Sequence, residues 1–179
     1  MDFKLELVLI PVSDVDRAKE FYVEKCGFTL DVDHQPNEDF RVVQITPPGS
    51  ACSLTIGKGL SSATPGAYQG THLVVADIES ARAELVGRGV AVSDIRHMGA
   101  SDWQPGADPA HTDYNSFADF KDPDGNSWEV FVVRADAETM RGESDETMRG
   151  ESDAKAANED SSACCAPGLC MPRRSARAT

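Results

Sequence analysis

Long apolar runs, basic clusters and an even cysteine count are all missing from this 179-residue chain, and each absence removes a class of function. No apolar stretch approaches the roughly 18 residues that a membrane-spanning helix requires. The opening MDFKLELVLIP has neither the basic start nor the small-residue cleavage site of a secretory signal. The expected location is therefore the cytoplasm, with no membrane partner. Lys and Arg number 17 against 30 Asp and Glu, a formal net charge of -13. Before Arg173 and Arg174 there is no Lys/Arg cluster able to neutralise a run of phosphates, so nucleic acid is not an expected partner. Five cysteines, with Cys26 and Cys52 inside predicted elements, fit a reducing compartment better than a disulfide framework.

A further absence is local. From Arg134 to Thr179 there is no Phe, Tyr, Trp, Val or Ile, so this stretch cannot bury enough apolar surface to offset its chain entropy. The division expected is a folded domain over 1–133 and a disordered tail over 134–179. Because the tail holds 9 of the acidic and 7 of the basic residues, the folded part is itself acidic, as a solvated surface would be. The tail contains ETMRGESD twice in succession, Glu138 to Asp145 and Glu146 to Asp153, a period too short for a solenoid and read here as an expanded linker. Beyond it lie Cys164, Cys165 and Cys170, spaced so that a flexible chain can offer three thiolates to one soft metal or metalloid.

What the front part does contain is one unit written twice. Lys4 to Pro11 reads as a strand, Asp14 caps a helix whose apolar positions are Val15, Ala18, Phe21 and Tyr22, and Gly27 stops it. Strands over 29–34, 41–46 and 53–56 follow. Thr71 to Ala76 then restarts the pattern, Asp77 caps a second helix with Ile78, Ala81 and Leu85 on its apolar face, and Gly87 and Gly89 end it. Strands over 90–95, 116–120 and 127–133 complete the second half, the last two joined by the turn Asp122-Pro123-Asp124-Gly125-Asn126. The modules span about 3–60 and 68–133. The segment from His97 to Asn115, with Trp103, His111 and Tyr114, is too long for a tight turn and is read as a loop over a site.

The doubled order, the run SDVDRAKEFYVEKCGF and the ending FADFKDPDGNSWEVF resemble the vicinal oxygen chelate superfamily, which includes glyoxalase I, bleomycin-resistance proteins and extradiol dioxygenases. That resemblance implies an α+β fold of two βαβββ modules forming an open, cup-shaped mixed sheet, with paired chains a common arrangement, so a homodimer is one expected partner state. It also implies a divalent ion held by four side chains, and the matching positions here are Leu7, Ser53, Gly70 and Glu129. Imidazole and carboxylate suit such an ion because they leave coordination positions open for substrate oxygens. Of these four only Glu129 ligates well, so no cofactor is expected and the ion is the lesser alternative. His72, two residues beyond Gly70, faces the same side of its strand.

Glu129 and His72 are the candidate catalytic residues, Glu129 as a general base on an acidic C–H. Leu7, Leu9, Ser53, Thr55, Trp103 and Tyr114 are the candidate ligand-binding residues. The reading expected first is a metal-independent protein that holds a small organic molecule in the cup. A metal-dependent lyase, isomerase or dioxygenase of the glyoxalase type is the alternative. The tail also resembles those of cadmium-induced and arsenic-handling members, which leaves metal or metalloid resistance through Cys164, Cys165 and Cys170 as a third.

Overall fold

The computed structural model describes residues 1–133; the tandem repeat, the expected tail disorder and the three clustered cysteines lie outside the described residues. In chain order the elements are β1 (Leu7–Leu9), α1 (Val15–Glu20), a π-helical turn (Phe21–Lys25), β2 (Thr29–Asn37), β3 (Phe40–Thr46) and β4 (Ser53–Lys58). The second half runs β5 (Thr71–Val75), α2 (Ile78–Gly87), β6 (Arg96–Met98), β7 (Trp103–Pro105), β8 (Phe117–Lys121) and β9 (Ser127–Val132). The sequence repeat becomes a repeat of topology. Sheet 1 has the order β1-β4-β3-β2 and sheet 2 the order β5-β9-β8-β6-β7. In each, the strand before the helix lies parallel to the last strand of its half, and the other neighbours are antiparallel. This is the α+β fold of two βαβββ modules, with one extra strand in the second.

Local chemistry explains the common parts. Asp14 and Asp77 sit in extended backbone and their carboxylates accept the N–H groups two and three residues on, satisfying the otherwise orphaned donors of each helix start. The first helix widens at its end, where Cys26 N–H donates to the Phe21 carbonyl five residues back. Gly27 then turns the chain at φ +74°, a left-handed conformation that a side chain would strain.

Two expectations need correction. Residues 90–95 form no strand; they contribute one bridge, Val92 to Phe120, and the ladder begins at Arg96. At Ser93 the pairing is half side chain: its N–H donates to the Asp119 carbonyl, but the Asp119 N–H goes to the Ser93 hydroxyl in place of a backbone carbonyl. The segment 97–115 is not wholly loop either. Its first part folds back as a hairpin that pairs Met98 with Trp103 and Arg96 with Pro105, closed by Gly99 N–H donating to the Asp102 carbonyl. The Asn115 side-chain amide then bonds both backbone groups of Met98, as a neighbouring strand would.

One core serves both modules. Ile10, Val43, Ile45, Leu54 and Ile56 from the first half meet Phe120, Trp128 and Val130 from the second, with Ala18, Phe21 and Tyr22 packed in the same cluster. Rings of Tyr22, Phe28, Phe120 and Trp128 lie 5.7–6.3 Å apart between centroids, a separation at which aromatic pairs attract beyond their area burial. A buried polar latch crosses the same boundary. The Tyr22 hydroxyl donates to Asp122 Oδ2 at 2.9 Å and accepts Trp128 Nε1–H at 3.2 Å. Asn126 Nδ2 donates to Asp122 Oδ2 and to the Pro11 carbonyl, while Asp122 Oδ1 takes three backbone N–H groups of its own turn. Burial, with the Asp122 carboxylate beside it, raises the Tyr22 phenol far above its usual range. Since each sheet gives its helix-side residues to this core, its opposite face is left open.

Candidate functional site

The open face of sheet 2 carries a row of ionisable side chains set by strand register. His72, Glu129 and Asp119 stand directly opposite one another across β5, β9 and β8. His72 Nε2 lies 3.3 Å from Glu129 Oε2. Arg96, from β6, reaches into the row: Nη2 lies 3.2 Å from Glu129 Oε1 and 3.4 Å from Asp119 Oδ1, and Nη1 donates to Asp119 Oδ2. One guanidinium thus holds two carboxylates that face each other across a strand pair, where like charges otherwise destabilise. Side-chain exposures of 31% for Arg96 and 25% for Glu129 leave the row partly shielded from water but reachable.

Aromatic rings flank the charges. The Trp103 ring packs on Phe117 at 5.5 Å, Phe117 on Phe131 at 6.2 Å, and Phe131 on Tyr114 at 5.5 Å, all between centroids. The His72 ring meets Phe131 edge to face at 5.3 Å. Arg96 joins the two sets, its guanidinium carbon 4.9 Å from the Trp103 ring centre. A hollow of about 650 Å³ opens beside the row, lined by Gly70, Ser93, Asp119, Lys121, Ser127 and Glu129.

Tyr114 reaches this wall through an unusual backbone. Both His111 and Tyr114 adopt positive φ, 51° and 59°, which non-glycine residues seldom do. The loop is held by Asp108, whose carboxylate accepts the Ala110 and Thr112 N–H groups. Hydrogen bonding from Thr112 and Ala110 keeps the Asp108 carboxyl well below the usual range. Tyr114 N–H donates to the Val132 carbonyl, which ties the ring to the end of β9.

The sequence candidates divide into two groups. Glu129, His72, Trp103 and Tyr114 come together on sheet 2 as described. Leu7, Leu9, Ser53 and Thr55 come together on the open face of sheet 1, because β1 pairs with β4 in the register Leu7 to Ser53 and Leu9 to Thr55. There the Ser53 hydroxyl bonds Gln44 and Thr46, and the Thr55 hydroxyl is buried with no partner among the described residues. Leu7 and Leu9 remain 38% and 40% exposed. Four residues of the sheet 2 site escaped sequence reasoning. Phe117, Asp119 and Phe131 follow from alternation along β8 and β9, whereas Arg96 falls between the expected strand 90–95 and the expected loop from His97 and opens β6 instead.

The chain matches a family model described as the Glyoxalase/Bleomycin resistance protein/Dioxygenase superfamily over residues 4–130. It belongs to that superfamily. Among solved structures of the superfamily's kind, TnmS3, an antibiotic binding protein from Streptomyces sp. CB03234, is 34% identical with a TM-score of 0.57, covering 73% of this chain and 96% of its own. A glyoxalase/bleomycin resistance protein/dioxygenase superfamily member from Sphaerobacter thermophilus DSM 20745 is 28% identical with a TM-score of 0.57, covering 74% and 98%. YetH, an uncharacterized protein of Bacillus subtilis strain 168, is 25% identical over 129 residues, 71% of this chain and 93% of its own. Superfamily members bind small molecules, and no helix among the described residues is long and apolar enough to cross a membrane.

The divalent ion implied by the superfamily does not fit this donor set. Leu7 offers no lone pair, Gly70 only backbone, and Glu129 already faces a guanidinium. Among the described residues no three His, Cys, Asp or Glu side chains converge as metal ligands do.

Proposed function

We propose that this protein binds a planar small organic molecule on the open face of sheet 2, stoichiometrically and without a divalent metal. The observation that carries the reading is the aromatic row Trp103, Phe117, Phe131 and Tyr114 lying beside the charged row. Stacking against rings that also border hydrogen-bonding groups is how a mostly apolar pocket holds and orients a flat ligand. Arg96 and Lys121 balance Asp119 and Glu129 in charge, and the carboxylate oxygens bordering the hollow are acceptors, so the site favours a ligand with a hydrogen-bond donor group. The antibiotic-binding description of TnmS3 supports a binding role over turnover.

A second copy of the chain supplies the other wall. β1 and β5 are edge strands; Leu7 and Leu9 on the first are exposed apolar residues, and Phe3 and Leu5, in the segment leading into it, are 89% and 70% exposed. Such a row on an unpaired edge is a template for association. Covering it with the sheet 2 face of a partner brings Leu7 and Leu9 to a ligand held there, with the buried Ser53 and Thr55 behind them. Free Cys26 and Cys52 suit the reducing cytoplasm in this reading.

Proflavine, a planar fluorescent cation, tests the ligand class against the anionic dye 1-anilinonaphthalene-8-sulfonate. The expected result is saturable binding of proflavine with quenching of Trp103, weakened about tenfold by Trp103→Ala, the loss that an aromatic stacking partner represents. Absence of saturable binding, or affinity indifferent to Trp103→Ala, rejects the reading.

A further inference from the structure

We propose that Arg96 is a tethered cation that stands in for the divalent ion and keeps metal out of this site. The inference rests on the metal-free reading above and gives it a cause. Glu129 is the one residue at the four implied ligand positions with a good donor, and its Oε1 is engaged by Arg96 at 3.2 Å while its Oε2 faces His72 at 3.3 Å. Asp119, opposite Glu129 on the next strand, is bound by the same guanidinium through both Nη atoms. Two opposed carboxylates and an imidazole in one cross-strand row are donor types that a divalent ion recruits, and they do not converge on a common point while the guanidinium lies between the carboxylates. Here a positive charge already lies among them.

Arg96 is fixed from both sides. The carboxylates engage its Nη1 and Nη2 atoms, and the Trp103 ring lies 4.9 Å from its guanidinium carbon. A planar guanidinium matches two carboxylates and an aromatic face at once, which an ammonium does not. Covalently attached, it is present at all times, whereas a dissolved ion must be captured and must overcome repulsion from the resident charge. The exchange alters the chemistry on offer. A guanidinium donates N–H groups and accepts no electron pairs, so a ligand oxygen is held by hydrogen bonding instead of coordination.

Cobalt(II) reports the difference, because its visible absorption bands appear on coordination by imidazole and carboxylate. Each form of the full chain is titrated alongside its Glu129→Gln counterpart, so that binding by thiols elsewhere cancels. For the wild type, no Glu129-dependent signal is expected. Arg96→Ala is expected to gain a Glu129-dependent cobalt site, with affinity raised about 100-fold by removal of the adjacent charge. Arg96→Lys, which keeps the charge, is expected to behave as the wild type. If Arg96→Ala does not fold, as judged by far-ultraviolet circular dichroism, Arg96→Gln carries the same expectation with a polar stem kept beside Trp103. A Glu129-dependent cobalt site in the wild type overturns the proposal, as does a folded neutral variant that gains none. No organic ligand enters this titration, so failure of proflavine binding sinks the ligand reading alone and leaves this one standing.

Discussion

Cys26 shows how burial, with no change of residue, decides reactivity. Desolvation first, then the Asp122 carboxylate, pushes its thiol from the ordinary 9.0 up to about 12. The thiolate is the nucleophile, so at pH 8 native Cys26 is nearly all thiol and reacts slowly. Peptide mapping after brief iodoacetamide treatment at pH 8 is expected to find Cys52 alkylated before Cys26, and equal labelling would contradict the burial argument. The same shift has a stability consequence of definite sign. Below pH 9 the thiol is protonated whether the chain is folded or not. Above it the unfolded chain ionises first, so stability falls as pH rises from about 9 toward 12. Tyr22, whose phenol is also raised by burial, adds a loss of the same sign above pH 10. The urea midpoint is therefore expected to drop steeply between pH 9 and 11, and Cys26→Ala to flatten the first part of that drop.

At the scale of elements, the turn between β8 and β9 does more than reverse the chain. Asn126 is fully buried and bonds the Tyr68 N–H, the Pro11 carbonyl and Asp122, so one side chain joins the turn to the first module. Asn126→Ala leaves several of those groups without partners in the interior, and a destabilisation of roughly 3 kcal/mol is expected in urea unfolding. An effect under about 0.5 kcal/mol, the size of an ordinary surface substitution, would show that water takes over these bonds. The D-P-D-G-N turn itself was legible from its residues, as were both Asp-capped helices, because those signals act over a few neighbours. Residues 90–95 were not, since what the Ser93 hydroxyl does there depends on Asp119, 26 residues further along the chain and outside the local pattern. The hairpin carrying Trp103 was read as loop for a similar reason: its ladder depends on β6, which begins where the expected strand ended.

For the whole molecule, the shared helix-side core leaves the other face of each sheet outside it, one with exposed Leu7 and Leu9 beside the buried Ser53 and Thr55, one charged and aromatic. The proposed pairing of copies predicts a dimer in sedimentation velocity at micromolar concentration. Leu9→Glu places a charge at the β1 end of the apolar row and is expected to give a folded monomer with weakened proflavine binding, since the second wall is then lost. A dimer that survives Leu9→Glu places the interface elsewhere on the surface.

The sequence by itself determined the doubled module, the helix boundaries and the side of each strand that carries Leu7, Leu9, Ser53, Thr55, His72 and Glu129, because period-two alternation and capping chemistry are written in adjacent residues. Only the tertiary structure decided that Glu129 has partners. Arg96 and Asp119 lie 33 and 10 positions before it in the chain, and their meeting depends on strand order and register, which no local pattern encodes.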